Sequence, residues 1–250
     1  MAVTSSDLVL YASANMPLND STTSGGAIDS GVRVTFTDPS SAAQLIIFSS
    51  SASDSSQTLA LKGRNPAGSI ITESMSLDGT TNVTSSNTFE RVLTAELSDV
   101  GVGNITVSGN GVNKIAEIPI GESGFLRPFY DATADASISK TLYEKIFVKN
   151  NNTSSTLDGA TLIPVASTGL ASQITYGIEN GKASPQSVTD RTTAPTGVDS
   201  FGSGASGVYP NGTGILSAYD YQGFWLKLSI DANNSSINSF YEIQVSGTTS

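Results

Sequence analysis

Apolar and polar residues alternate along this chain in short runs, a period of two rather than of three or four. In Val32-Arg33-Val34-Thr35-Phe36-Thr37, the residues Val32, Val34 and Phe36 fall on one face and Arg33, Thr35 and Thr37 on the other. Phe224-Trp225-Leu226-Lys227-Leu228-Ser229-Ile230 repeats the pattern, with Phe224, Leu226, Leu228 and Ile230 inward. Tyr241, Ile243 and Val245 alternate with Glu242, Gln244 and Ser246 in the same way. Successive side chains of a strand leave opposite sides of the backbone, so each run predicts a half-buried antiparallel strand. Shorter apolar runs predict further strands at 8–11, 44–48, 58–62, 69–77, 104–107, 114–118, 161–165 and 173–176. In 142–165, Ile146 and Val148 are expected in a core, and Asn150 to Ser155 in an exposed turn.

Phe89 to Leu97 fits two periods. Phe89, Val92, Leu93 and Leu97 suit a helix, whereas Phe89, Leu93, Ala95 and Leu97 suit a strand. The strand-like Asn104-Ile105-Thr106-Val107 that follows a glycine-bearing loop favours a hairpin. Asp78-Gly79, Asn110-Gly111, Asp158-Gly159, Asn180-Gly181 and Asn211-Gly212 mark turns, because these pairs tolerate positive φ. Many short strands separated by such signals predict an all-β protein of two consecutive antiparallel β-sandwich domains, Ig-like or jelly-roll-like. A boundary at Pro119–Gly124 gives an N-terminal domain over 1–120 and a C-terminal one over 121–250. The polar stretch 181–214, with Pro185, Pro195 and Pro210, reads as a long loop or arm, ordered where something covers it.

Composition narrows the function. Of 250 residues 38% are hydrophobic and only 14% charged, the balance being made up largely by residues that favour turns and exposed strand faces. The formal charge of −10 repels phosphate backbones at long range, so no nucleic-acid partner is expected. No window approaches the ~20 apolar residues of a membrane helix, and the opening residues lack a charged leader followed by an apolar segment; neither a membrane partner nor a secretory signal is expected. The chain has no cysteine and no histidine, which removes thiolate chemistry, disulfides and the commonest general base and metal ligand.

The remaining chemical candidates each meet a plainer reading. Gly202-Ser203-Gly204-Ala205-Ser206-Gly207 has dinucleotide-loop spacing, but loop-like flanks replace the strand and helix that make such a loop work. Asp131 and Asp135, near Tyr130 and Glu122, are oxygen ligands of the calcium type without the dense ladder of a calcium loop; a solvated turn explains them. Ser137-Ile138-Ser139-Lys140 offers a single loose serine–lysine spacing in a serine-rich chain. Trp225 lies opposite Phe224 and Leu226, where it could stack a sugar; packing against a neighbouring subunit, a loop or a second domain is favoured, for no cluster of exposed aromatics surrounds it. No catalytic residue, cofactor site or metal site is therefore assigned, and no enzyme is expected.

Four segments carry a likeness to known proteins. They are Asp7-Leu8-Val9-Leu10-Tyr11-Ala12-Ser13-Ala14-Asn15-Met16-Pro17, Arg127-Pro128-Phe129-Tyr130-Asp131, Leu142-Tyr143-Glu144-Lys145-Ile146-Phe147-Val148-Lys149-Asn150 and Gly223-Phe224-Trp225-Leu226-Lys227-Leu228. Together they resemble structural proteins of tailed bacteriophages, especially those of marine hosts, over most of the chain. The resemblance implies a head decoration (cement) protein on the capsid exterior of the virion. Its implied partners are the major capsid protein and further copies of itself, with a trimer favoured. A tail-associated or receptor-binding protein is the alternative, with a saccharide or host-surface ligand expected near Trp225 or Tyr209. The resemblance brings no functional residues with it.

Overall fold

The computed structural model describes residues 2–17, 19–110, 113–166, 174–181, 183–198, 201–202, 214–233 and 241–250. Among them every regular element is a strand. The first nine are β1 (Leu8–Asn15), β2 (Ser24–Arg33), β3 (Ala43–Ser49), β4 (Thr58–Arg64), β5 (Ile70–Ser76), β6 (Val83–Phe89), β7 (Arg91–Leu97), β8 (Ile105–Gly109) and β9 (Asn113–Ile118). The rest are β10 (Gly124–Leu126), β11 (Lys140–Asn150), β12 (Leu157–Ala166), β13 (Ile174–Ile178), β14 (Ser187–Val188), β15 (Tyr221–Ile230) and β16 (Tyr241–Thr249).

The protein is all-β, with two compact units, but they are nested rather than consecutive. One unit comprises Met1–Asp29 with Asp131–Ser250, and the other is the intervening Ser30–Tyr130. The expected division at 120/121 is displaced because β1 pairs with β11, Leu10 opposite Val148 and Ala12 opposite Ile146, which ties the start of the chain to its second half.

In the inserted unit, β10, β7, β4 and β5 lie in that order, with the last residues of β2 parallel to β10. A second sheet runs β6-β3-β8-β9, all neighbours antiparallel. Leu45, Ile47, Leu59, Phe89, Val107 and Phe125 form a common core, each essentially without solvent contact. Burying such side chains contributes roughly 1.5–3 kcal/mol apiece. Phe89 to Leu97 closes as strand, split at Glu90 between β6 and β7. The alternation in Val32–Thr37 has a different outcome from the one expected. The strand ends at Arg33, Phe36 packs against Phe125 with ring centroids 4.6 Å apart, and the Thr37 amide donates to the Ile115 carbonyl.

The other unit has the antiparallel series β13-β15-β11-β1 at its centre, and a separate β12–β16 ribbon. Register assigns Leu142, Ile146, Val148, Phe224, Leu226 and Leu228 to one face of the sheet. Tyr176 shares this face and donates its hydroxyl to the Leu162 carbonyl of β12, linking sheet to ribbon. Ile146 and Val148 are core, as expected. The Asn150–Ser155 turn is not simply exposed: Asn150, Asn152 and Ser155 are buried, and Asn150 Nδ2 donates to the carbonyls of Ser155, Leu216 and Ser217. Asp158-Gly159 forms no hairpin turn either. It is an irregularity within β12, where Gly159 has φ 60° and the register with β16 shifts.

Candidate functional site

The opposite face of the β13-β15-β11-β1 sheet carries Tyr143, Lys145, Phe147, Trp225 and, from the end of β13, Glu179. A strand covered on one side only would leave these in water. Instead Lys145, Phe147 and Trp225 are fully buried. Part of the cover comes from the stretch expected to be a free arm. Its residues 183–198 fold back on their own unit: β14 pairs with β2, and Val188, Val198 and Phe201 pack about Tyr143 and Trp225. Residues 182, 199–200 and 203–213 of that stretch lie outside the described residues, and with them Tyr209, Asn211-Gly212 and all but the first glycine of the 202–207 motif.

Two ionic groups fasten this strap. Lys145 Nζ lies 2.7 Å from Glu179 Oε2 and donates to the Ser184 carbonyl at 2.6 Å. Trp225 Nε1 donates to the other Glu179 oxygen at 3.0 Å. Burial pulls the Lys145 pKa down, and Glu179 opposes that pull through its hydrogen bond and charge. Trp225 therefore packs, and a sugar cannot stack on it. Its ring leaves room for nothing larger than glycine at Gly25, where φ is 96° and an added Cβ would come within 2.6 Å of the indole. Farther along the strap, Arg191 is 1% exposed and reaches three carboxylates: Asp20 at 2.7 Å, Asp131 at 2.7 Å and Glu144 at 3.1 Å.

Asp131 is thus an arginine ligand, where a solvated turn was expected. Asp135 instead accepts from the amides of Ser137 and Ile138, and Glu122 pairs with Arg33 through both oxygens. Lys140 bridges Asp20 at 2.9 Å. Among the described residues, no group of acidic side chains is placed to hold a metal ion.

The inserted unit contains a third buried centre. Asp54, fully buried, accepts from Ser49 Oγ and Gln57 Nε2, and from the amides of Val102 and Gly103. Burial alone would raise its pKa; those hydrogen bonds outweigh it and hold the carboxyl below its ordinary value. The effect is to fix the β7–β8 loop. Asn104 Oδ1 then accepts from the Ile120 amide, joining that loop to the one between β9 and β10. These two adjoining loops present Val100, Val102 and Ile120 to solvent at 46%, 60% and 63% exposure. Sequence reading gave no warning of this patch, since isolated aliphatic residues in loops carry no period. On the β7-β4-β5 sheet of the same unit, an open trough is lined by residues that include Ala60, Lys62, Thr72, Ser74, Thr94 and Glu96.

Comparison with known proteins returned no matching family model, no matching curated protein and no matching solved structure.

Proposed function

We propose that this chain is a structural virion protein that binds the outer surface of a phage capsid and stabilises it, associating with itself as a trimer. The observation that carries the reading is the exposure of three aliphatic side chains, Val100, Val102 and Ile120, on two hydrogen-bonded loops fixed from within by Asp54 and Asn104. A pre-ordered apolar patch loses little conformational entropy on docking, which suits adhesion to a protein surface. The partner proposed for that surface, the major capsid protein, is the one that the resemblance implies. Buried ionic groups at Lys145, Arg191 and Asp54 are spent on fastening loops, as a protein built for durability requires. Repetition around a symmetric shell multiplies a modest contact.

Two measurements test this. Mass spectrometry of purified virions should find the chain in hundreds of copies; a handful would assign it to the tail instead. Val102→Asp and Ile120→Asp should leave melting of the free protein nearly unchanged while abolishing its retention on capsids. Full retention by both variants would refute the patch as the contact.

A further inference from the structure

Two adjoining edge strands close the sheets of the inserted unit, β5 on one and β6 on the other. Edge strands carry unpaired backbone groups, and a charge, a proline or a bulge usually blunts them. β6 is blunted: its register with β3 shifts, and Glu73 of β5 accepts from the amides of Ser86 and Asn87 at 2.6 and 3.0 Å. β5 is not. It runs as Ile70-Ile71-Thr72-Glu73-Ser74-Met75-Ser76 in unbroken register with β4, without proline or lysine, and its one charge is the Glu73 committed to β6. The Leu77 amide donates to the Gln57 carbonyl and the Asn65 amide to the Ser69 carbonyl, which sets the alternation of the ladder between them. Ile71, Glu73 and Met75 therefore bond to β4, while Ile70, Thr72, Ser74 and Ser76 turn their N–H and C=O groups outward. These four residues are exposed, and among the described residues no strand pairs with their outer side.

A row of side chains leads inward from that edge across the trough. Ser74 lies opposite Ala60, and Ala60 opposite Glu96 of β7, so the three share one face, and all are exposed. Ser74 and Ala60 are small and leave the way to Glu96 open. In the next row Lys62, between Thr72 and Thr94, holds its ammonium over the Tyr130 ring, 5.0 Å from the centroid, and not at Glu96. Among the described residues Glu96 has no ion pair.

We propose that β5 accepts an extended, cationic segment of a partner protein as an added antiparallel strand, with an arginine opposite Ser74 that lies over Ser74 and Ala60 to reach Glu96. Main-chain bonds to Ile70, Thr72, Ser74 and Ser76 supply affinity, and the row supplies the choice of side chain. The added strand would stand three strand spacings, about 14 Å, from β7, a span that extended arginine and glutamate side chains close end to end. Guanidinium presents a planar fork of donors that matches the carboxylate. A chain at −10 draws a cationic segment at long range. A second copy would bring the same −10, and its own β5 holds no cation to offer Glu96. The inference goes beyond the capsid reading and does not rest on it.

Nuclear magnetic resonance titration of the isotope-labelled full chain tests it, with the peptide acetyl-KVTVRVTVK-amide and with its counterpart carrying norleucine for arginine. Both peptides should bind and slow hydrogen exchange at the amides of Thr72 and Ser74, the arginine peptide about fivefold more tightly. Glu96→Gln should bring the arginine peptide down to the affinity of the norleucine peptide and leave the latter unchanged. Thr72 donates nothing to β4, so Thr72→Pro removes an outward N–H without breaking the ladder and should abolish binding of both peptides. Should circular dichroism show that variant misfolded, the exchange pattern of the wild-type chain decides the edge by itself. Absence of binding, or protection that leaves Thr72 and Ser74 unchanged, would overturn the proposal. Equal affinity of the arginine peptide for wild type and Glu96→Gln would overturn the arginine assignment. Sedimentation of the free chain as a dimer that Thr72→Pro dissociates would give the edge to a second copy instead.

Discussion

Lys145 and Glu179 form an ion pair 2.7 Å long with side chains 0% and 1% exposed. Register places Lys145 opposite Trp225, and the indole donates to the same carboxylate. The pair is a mutual requirement more than a source of stability, since two charges taken from water recover that cost only through each other. Glu179→Gln leaves an uncompensated ammonium and should destabilise the protein by about 3–5 kcal/mol in denaturant titration. The double variant Lys145→Met, Glu179→Gln should recover much of that loss. A double variant as unstable as the single one would show that the charges themselves hold the sheet and strap together.

Asp54 gives the protein an acid limit. Its carboxyl is held below the ordinary 3.8, the hydrogen bonds from Ser49, Val102, Gly103 and Gln57 outweighing burial. The unfolded chain therefore binds this proton more readily than the folded one, and the stabilisation is fully present above about pH 5. It is lost as pH falls through 3.8 and on to the lower folded value. Asp20 and Glu73 are lowered too, by hydrogen bonds that outweigh burial, and add to the same slope. Melting temperature should be nearly flat between pH 5 and 8 and drop steeply below about 4. Asp54→Asn should flatten part of that drop, at a cost of about 3 kcal/mol at neutral pH.

The strands were legible where one face is buried and the other wet. Elsewhere the physics was not in the local pattern. β6 reads as Val83-Thr84-Ser85-Ser86-Asn87-Thr88-Phe89, nearly without apolar residues. Its buried Ser85 is there for bonding, accepting from the Leu45 amide and donating to the Asn87 carbonyl. β11 is buried on both faces from Leu142 to Val148, which a period of two cannot announce. The strap was invisible for a further reason: Arg191 lies 171 positions from Asp20 and 60 from Asp131, and only the fold reveals that one arginine serves both. Trp225 was readable as a packing residue, but its cover was not, because β14 is two residues long.

Gly124 tests how closely β10 fits its neighbours. It pairs with Val32 on one side and Glu96 on the other, and an added Cβ would run into the Ala95 carbonyl oxygen. Backbone cannot rotate away as a side chain can, so Gly124→Ala should cost about 3 kcal/mol or more. Gly121→Ala, in the preceding turn, is the informative contrast. Its Cβ would meet nothing within 4 Å, and only the positive φ of 82° opposes it, a penalty of about 1 kcal/mol. Equal melting of the two variants would mean that β10 sits farther from β7 than the register places it.

Arg191 makes the strap the most informative place to cut. It draws Asp20, Asp131 and Glu144 to one guanidinium, and its own carbonyl accepts from the Tyr143 amide of β11. Wild-type protein should therefore resist limited proteolysis across 187–198, despite the polar sequence. Arg191→Met keeps most of the side-chain volume and leaves three carboxylates with no shared cation, of which Glu144 is 2% exposed. The expected loss is about 3–5 kcal/mol, concentrated in the strap rather than spread through the chain. Cleavage within 187–198 should appear in the variant while 30–130 stays intact, and Trp225 fluorescence should shift to the red as water reaches the indole. Uniform digestion of both units, or an unshifted emission, would show that the strap holds without its arginine.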